Sequence, residues 1–232
     1  MQSGLSAEAM LTAWEAGARR AALDRALALL WAGGAGDGAA DLGLPERDRR
    51  LLALHRATFG PEIASLATCP DCGAEVEVTL DARLLEAALE VPPESALALS
   101  GGEIVLRQLT SRDLAAAQDV PPEAAPAFLR ARVVPGNDTF SDEDAARIDA
   151  GIEAQAAAAE LLCRLECPEC GADWREALDI AEHLWAEVEM AALLTLSDVA
   201  QLARAFGWTE ADVLALTPAR RAVYLRHARE IG

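Results

Sequence analysis

The stretch CPDCGAEVEVTLD at residues 69–81 recurs as CPECGADWREALD at residues 167–179. Each copy begins with a C-P-x-C-G knuckle, in which x is Asp in the first copy and Glu in the second. Such a turn places two thiolates about one turn apart, with backbone amides directed at sulfur and a glycine that permits the tight reversal. Two such turns supply the four soft ligands that tetrahedral zinc prefers. We therefore predict a single Zn²⁺ site, whose ligands are Cys69, Cys72, Cys167 and Cys170.

The two knuckles also predict the local fold. The first is followed by VEVTL at 76–80, whose alternation indicates a strand, and a zinc ribbon clasps one ion between two such hairpins. Closing a flexible loop as long as residues 73–166 costs about 4 kcal/mol. A structural zinc contributes about 10–16 kcal/mol in small peptides, so the metal outweighs that cost. Four cysteines leave no open coordination position, which predicts a structural and not a catalytic ion. The alternative is a pair of knuckles that have lost their ion.

Composition favours helices around this element. The chain is rich in Ala and Leu, with 52% hydrophobic and 4% aromatic residues. We predict an α+β, mostly helical fold, with a small split zinc-ribbon β element, a helical N-terminal part, an inserted segment and a helical C-terminal part. The predicted segments are an N-terminal helical region (1–68), a first knuckle and strand (69–82), an insertion (83–160), a second knuckle and strand (161–180) and a C-terminal helical region (181–232).

Shorter signals place elements within these segments. GGEIVLRQLT at 101–110 predicts a short strand entered by a Gly-Gly turn, and Ser111 is the predicted N-cap of the next helix. Ser141 is the predicted N-cap of a helix over 142–159. The C-terminal region predicts three helical pieces: one to about residue 205, one over 210–216 and one over 218–230.

Charge and cysteine usage exclude several classes of protein. The net charge of −18 argues against nucleic acid, because a protein that neutralises phosphates needs a basic face. The N-terminus has no secretory pattern, and the most apolar stretch, MAALLTL at 190–196, is far shorter than a membrane span of about 20 residues. Paired C-P-x-C cysteines fit metal binding in a reducing compartment. We expect a cytoplasmic protein with no membrane or nucleic-acid partner.

No catalytic constellation is readable, so we predict that the chain is not an enzyme and binds no cofactor besides zinc. There is no lysine, no G-x-S-x-G motif, no P-loop and no dinucleotide fingerprint. The three histidines (His55, His183 and His227) are scattered without H-E-x-x-H spacing. His183 is interpreted as a packing or capping residue.

The fifth cysteine, Cys163, creates a competing pattern. Together with Cys167 and Cys170 it spells C-x₃-C-x₂-C, the spacing of radical-SAM iron–sulfur enzymes. The chain lacks the repeated strand–helix pattern of their barrel, and the knuckle at 69–72 would have no role. We therefore expect Cys163 to pack as a small apolar residue beside Leu161 and Leu165.

The block WAEVEMAALLTLSDVAQLARAFGWTEADVLALTPARRAVYL at 185–225 resembles the C-terminal hallmark of the baseplate protein family of T-even-type contractile phage tails. Members are described as baseplate hub subunits or hub assembly chaperones. ERDRRLLALHRATFGPEIASLATCPDCG at 46–73 carries a second stretch of likeness. Relatives with two such knuckles occur in phage-tail-like contractile injection systems. The resemblance implies a non-enzymatic role with baseplate, hub or spike partners, in the cytoplasm or retained in the assembled particle.

The C-terminal region also permits other interpretations. Its alternation of helices and turns, with PARRAVYLRHAR at 218–229 as the recognition helix, would suit a zinc-ribbon DNA-binding or regulatory adaptor. The net negative charge of the whole chain argues against this interpretation. Within residues 197–230, Phe206, Trp208 and Tyr224 are candidate anchors for a protein partner. Packing of the helices against one another is the competing explanation for these aromatic rings.

Overall fold

The computed structural model describes residues 4–89, 95–134, 136 and 139–231. Its helices are α1 (Ala7–Gly17), α2 (Ala22–Ala32), a 3₁₀ turn (Asp37–Asp41), α3 (Leu44–Phe59), α4 (Ala82–Ala88), α5 (Ser111–Ala117), α6 (Ala125–Val133), α7 (Asp142–Ala159), α8 (Ile180–Phe206), α9 (Glu210–Leu214) and α10 (Pro218–Ile231). Its strands are β1 (Glu62–Thr68), β2 (Glu75–Asp81), β3 (Ser95–Leu99), β4 (Gly102–Leu106), β5 (Leu162–Glu166) and β6 (Asp173–Ala177). The predicted α+β, mostly helical fold is confirmed.

The main core lies where α1, α2 and α3 pack against the N-terminal half of α8. Apolar residues at helical spacing give each helix one buried face, as Leu184 and Val188 do on α8. Trp185 is 2% exposed, and its ring lies so close to Gly17 that a Cβ there would approach within 2.5 Å. Gly17 therefore allows α1 to pack directly against Trp185, the largest buried side chain of the core.

Each knuckle is the loop of an antiparallel hairpin. β1 pairs with β2 from Glu62↔Asp81 to Thr68↔Glu75, so the first knuckle is the loop of this hairpin. β5 pairs with β6 from Leu162↔Ala177 to Glu166↔Asp173, and the second knuckle is its loop. The strand after the first knuckle was predicted, whereas β1 was not, because EIASLAT lies close behind a helix and has little alternation of apolar and polar residues.

The residues between the hairpins have their own small core. Leu106 of β4, Val133 at the end of α6 and Ile148 of α7 are fully buried together. The predicted strand over 101–110 is observed as β4, and the predicted helix over 142–159 is observed as α7, with the Ser141 side chain accepting from the Asp144 N–H.

The prediction that Ser111 caps α5 is wrong. The N-cap is Thr110, whose Oγ1 accepts from the Asp113 backbone N–H at 3.3 Å while the Asp113 carboxylate accepts from the Thr110 N–H at 3.0 Å. This reciprocal capping box satisfies two backbone donors at once, which a serine one position later cannot do. Ser111 instead becomes the first helical residue and is buried.

The C-terminal region forms the three predicted helical pieces, α8, α9 and α10. Thr209 caps α9 in a second capping box with Asp212. The rings of Phe206, Trp208 and Tyr224 lie 4.8–6.1 Å apart between centroids, and each is partly buried. The three rings therefore pack against one another where α8 and α10 meet, and their role as anchors for a protein partner stays a prediction. None of the helices in the described part of the chain has the length and apolarity that a membrane span requires.

Candidate metal centre

The two knuckles have the same backbone geometry. In the first, the Cys69 N–H donates to the Ala74 carbonyl and the Gly73 N–H donates to the Cys69 carbonyl, both at 2.9 Å. In the second, Cys167, Ala172 and Gly171 repeat these bonds at the same 2.9 Å. The glycines have φ of 73° and 72°, in the left-handed region that a side chain disfavours. The repeated C-P-x-C-G sequence thus specifies the same turn twice.

The four predicted ligands converge between the two hairpins. Cys69 Sγ lies 3.7 Å from Cys170 Sγ, and Cys72 Sγ lies 3.6 Å from Cys167 Sγ. All four sulfurs lie within 4.8 Å of one another. A tetrahedral ion with Zn–S bonds of about 2.3 Å would separate its sulfurs by about 3.8 Å, so the cluster has the dimensions of a four-thiolate site. These four cysteines can hold a metal ion.

The site is half enclosed. The first cysteine of each knuckle, Cys69 and Cys167, is 1% exposed, whereas Cys72 and Cys170 face solvent. Cys69 and Cys167 are buried because each directly follows a strand, and Cys72 and Cys170 are exposed because each lies in the loop of its hairpin. An ion could therefore enter from the loop side, where the second thiol of each knuckle is accessible.

Backbone amides favour ionisation of the Cys69 thiol, whereas the neighbouring thiols and burial oppose ionisation of the Cys170 thiol. N–H groups of Cys72 and Asp71 directed at sulfur lower the pKa of Cys69 to about 7. For Cys170, the Ala172 N–H lowers the pKa, but the neighbouring thiols and burial outweigh it and raise the pKa to about 12. Four adjacent thiols cannot all ionise without a cation among them. A divalent metal supplies that positive charge and would release protons as it binds.

Cys163 lies outside this cluster. It sits on β5 opposite Glu176, partly buried, and burial together with the Glu176 charge raises the pKa of its thiol. Its side chain lines a cavity of about 80 Å³ between the two hairpins, with Leu165 on the same strand and Leu66 and Val78 on the opposite hairpin. The structure therefore groups Cys167 and Cys170 with the first knuckle and not with Cys163.

A second polar cluster was missed by the sequence analysis, which described the histidines as scattered. His55 of α3 meets His183 and Glu187 of α8, and their ligand atoms lie within 4.8 Å of one another. The two imidazole ring centroids are 5.8 Å apart. The available signal was the four-residue spacing of His183 and Glu187, which places both on one helical face. The partner on α3 could not be read from spacing, because it comes from a distant segment.

Known proteins do not identify this arrangement by similarity: no protein-family model, no curated protein and no solved structure matches the chain. The interpretation of the site therefore depends on its own geometry, in which two identical turns bring four thiols to tetrahedral spacing.

Proposed function

We propose that this chain is a non-enzymatic structural or assembly protein of a phage-type contractile tail or injection system, acting as a hub assembly chaperone or a baseplate component. In this proposal the four cysteines bind one structural Zn²⁺. The partners are baseplate, hub or spike proteins. The protein acts in the cytoplasm, where assembly takes place, or stays in the finished particle.

Zinc is the metal that the donor set favours. Four thiolates are soft ligands, and their spacing of 3.6–3.7 Å across the two knuckles suits tetrahedral Zn–S geometry. With every coordination position taken by sulfur, the ion has no place for water or substrate. Its role in the proposal is to fasten two hairpins that lie far apart in sequence, and so to fix the insertion relative to the helical core.

The two stretches that carry the family resemblance meet in the fold. Residues 46–73 include most of α3, β1 and the start of the first knuckle, and residues 185–225 include most of α8, all of α9 and part of α10. Helices α3 and α8 pack against each other. The likeness therefore follows one continuous part of the molecule, as expected if it reflects a shared architecture.

The observation that carries an assembly role is an exposed apolar row on α8. Met190, Leu193 and Leu194 are 65%, 51% and 60% exposed, and their spacing places them on one face of the helix. They lie within the segment that resembles the baseplate family. Contiguous exposed apolar side chains mark protein-interaction surfaces more often than isolated ones. Because the chain carries a net charge of −18, we expect its partner to present an apolar patch with a basic rim.

The alternative function, a zinc-ribbon DNA-binding or regulatory adaptor, relies on the arginines of α10. Arg221 is 8% exposed, and its Nη1 lies 3.8 Å from the Asp198 carboxylate of α8. This arginine therefore contributes to helix packing and is not available to a phosphate. A salt-dependent shift of DNA mobility by the purified protein would favour the adaptor over the assembly protein.

Substitution of the α8 row tests the proposed function. We expect the triple variant M190S/L193S/L194S to lose co-purification with the baseplate, hub and spike proteins expressed from the same contractile system. Serine removes the apolar contact area of side chains that are already exposed, so the fold and the zinc content should not change. Leu84→Ser is the matched control, because Leu84 is 70% exposed on α4 and lies outside both similar stretches.

The two variants distinguish binding through the α8 row from a general effect of removing exposed apolar side chains. Retention of Leu84→Ser together with loss of the triple variant supports the proposal. A triple variant that is folded, zinc-loaded and still incorporated at wild-type level would place the partner surface elsewhere or contradict the assembly role.

A further inference from the structure

Three potential metal ligands converge on the side of α8 that faces α3. His183 and Glu187 are one helical turn apart on α8, and His55 approaches from α3. His55 Nε2 lies 2.8 Å from Glu187 Oε2, and His183 Nε2 lies 3.7 Å from Glu187 Oε1. The Nε2 atoms of both imidazoles thus lie near the same carboxylate.

The hydrogen bonding of this cluster is incomplete. The His55 side chain is fully buried, and neither of its ring nitrogens has an aligned hydrogen-bond partner among the described residues. His55 Nε2 is close to Glu187 Oε2 but misaligned for a hydrogen bond, and His183 Nε2, at 3.7 Å from Glu187 Oε1, lies beyond hydrogen-bond distance. Buried polar atoms are nearly always satisfied in folded proteins, so three side chains whose polar atoms face one another without hydrogen bonds are suited to share a ligand.

We propose that His55, His183 and Glu187 bind a second divalent transition-metal ion of the zinc class, independent of the four cysteines. Two imidazoles and one carboxylate form a donor set typical of zinc and related metals. Tetrahedral N and O ligands with metal–ligand bonds of about 2.0–2.1 Å lie about 3.3 Å from one another. The ligand atoms here are separated by at least 2.8 Å, between His55 Nε2 and Glu187 Oε2, and by at most 4.8 Å, so the expected distance falls within the observed range. Three protein ligands leave one position for water.

Two of the three side chains in the site are partly exposed to solvent. The side chain of Glu187 is 30% exposed and that of His183 is 15% exposed, so the ion can enter from solvent past these two residues.

Such an ion would join α3 to α8 by direct coordination. These helices already pack through Leu51, Leu54, Leu184 and Val188 in the main core. The ion would therefore reinforce a contact that the apolar side chains establish, and its loss should leave the fold in place. Its binding can be measured apart from the cysteine cluster, because it involves no sulfur.

The test is a Co²⁺ titration of the untagged protein after its cysteine site has been filled with one equivalent of Zn²⁺. We expect about one further equivalent of Co²⁺ to bind, without the intense thiolate-to-cobalt charge-transfer absorption. In proton NMR, bound Co²⁺ should shift the imidazole resonances of His55 and His183 and leave that of His227 in place. His183→Gln and Glu187→Gln should weaken this binding at least about tenfold. His227→Gln is the matched control, because His227 is 59% exposed and belongs to neither cluster.

Each outcome decides the proposal. Binding of the second equivalent with shifted His55 and His183 resonances supports it even if one variant fails to fold. Absence of a second equivalent in the wild-type protein overturns it, and the cluster is then a histidine–glutamate ion pair alone. Uptake that shows thiolate charge transfer, or that is equal in all three variants, also overturns it.

Discussion

Replacement of Cys72 by serine should abolish tight zinc binding and release the two hairpins from each other. Structural zinc contributes about 10–16 kcal/mol in zinc-finger peptides, against about 4 kcal/mol for closing a flexible loop of this length. Among the described residues, no single side-chain contact is expected to stabilise the hairpin pair as much as this ion. The main core of α1, α2, α3 and α8 does not contain the sulfurs, so it should persist while β1, β2, β5 and β6 lose protection.

Amide hydrogen exchange followed by mass spectrometry measures this effect. We expect peptides covering 62–81 and 162–177 to exchange faster in Cys72→Ser, and in the wild-type protein after chelation, while peptides from α2 and α3 exchange as before. Cys163→Ser is the matched control, because it removes a thiol of the same β element that lies outside the cluster. Unchanged exchange in the hairpins of metal-free Cys72→Ser would contradict a structural role for the ion.

Replacement of Asp113 by asparagine should strongly destabilise the insertion. The Asp113 side chain is 1% exposed and accepts hydrogen bonds from Arg107 at 2.6 and 2.9 Å and from Arg132 at 2.7 Å. It also closes the capping box with Thr110. Asparagine removes the negative charge that both guanidiniums face. We expect a loss on the order of 3 kcal/mol, the lower end for breaking a buried ion pair, because both arginines are partly exposed.

The pH dependence gives this prediction a second readout. Burial raises the pKa of Asp113, but hydrogen bonds from Arg107, Arg132 and Thr110 outweigh burial and lower it below the ordinary value of 3.8. A group whose pKa is lowered by folding stabilises the protein above its unfolded pKa and loses that contribution as the pH falls. The difference in unfolding free energy between wild type and Asp113→Asn should therefore be full near neutral pH and shrink below pH 3.8.

Urea unfolding at several pH values measures that difference. Asp41→Asn is the matched control, because Asp41 pairs with Arg112 at the surface, where both side chains are more than half exposed. It should have a much smaller effect than Asp113→Asn. Equal effects of the two substitutions, or a difference that does not depend on pH, would show that the Asp113 network does not stabilise the insertion.

The convergence of four cysteines that can hold a metal ion could be predicted from sequence, because the information is local. Cys69 and Cys72 share one short turn, and the second knuckle repeats it, so spacing alone specifies both halves of the site. The same reasoning could not pair His55 with His183, since their proximity depends on how α3 packs against α8. Local signals also failed where two residues competed: Thr110 and Ser111 are both good N-caps, and the choice depends on Asp113, which completes the box only with Thr110.

Strands could likewise be predicted where the signal is local, and could not where the strand depends on a partner. VEVTL alternates strongly and was identified, whereas EIASLAT and SALAL become strands because a partner lies beside them. Both stretches consist mostly of Ala, Leu and Ser, which have little intrinsic preference for strands, so hairpin pairing across the knuckle at Gly73 and the turn that ends at Gly102 determines their conformation.

X-ray absorption at the zinc edge of the protein, loaded with one equivalent of Zn²⁺, directly counts the atoms that bind the ion and identifies their elements. The proposal that one ion joins the two knuckles predicts four sulfur neighbours at about 2.3 Å and no nitrogen or oxygen neighbour. Cys163→Ser should give the same spectrum and the same one-to-one stoichiometry. Fewer than four sulfur neighbours, loss of zinc in Cys163→Ser, or a brown iron–sulfur chromophore in the purified protein would rule out a single four-cysteine zinc site.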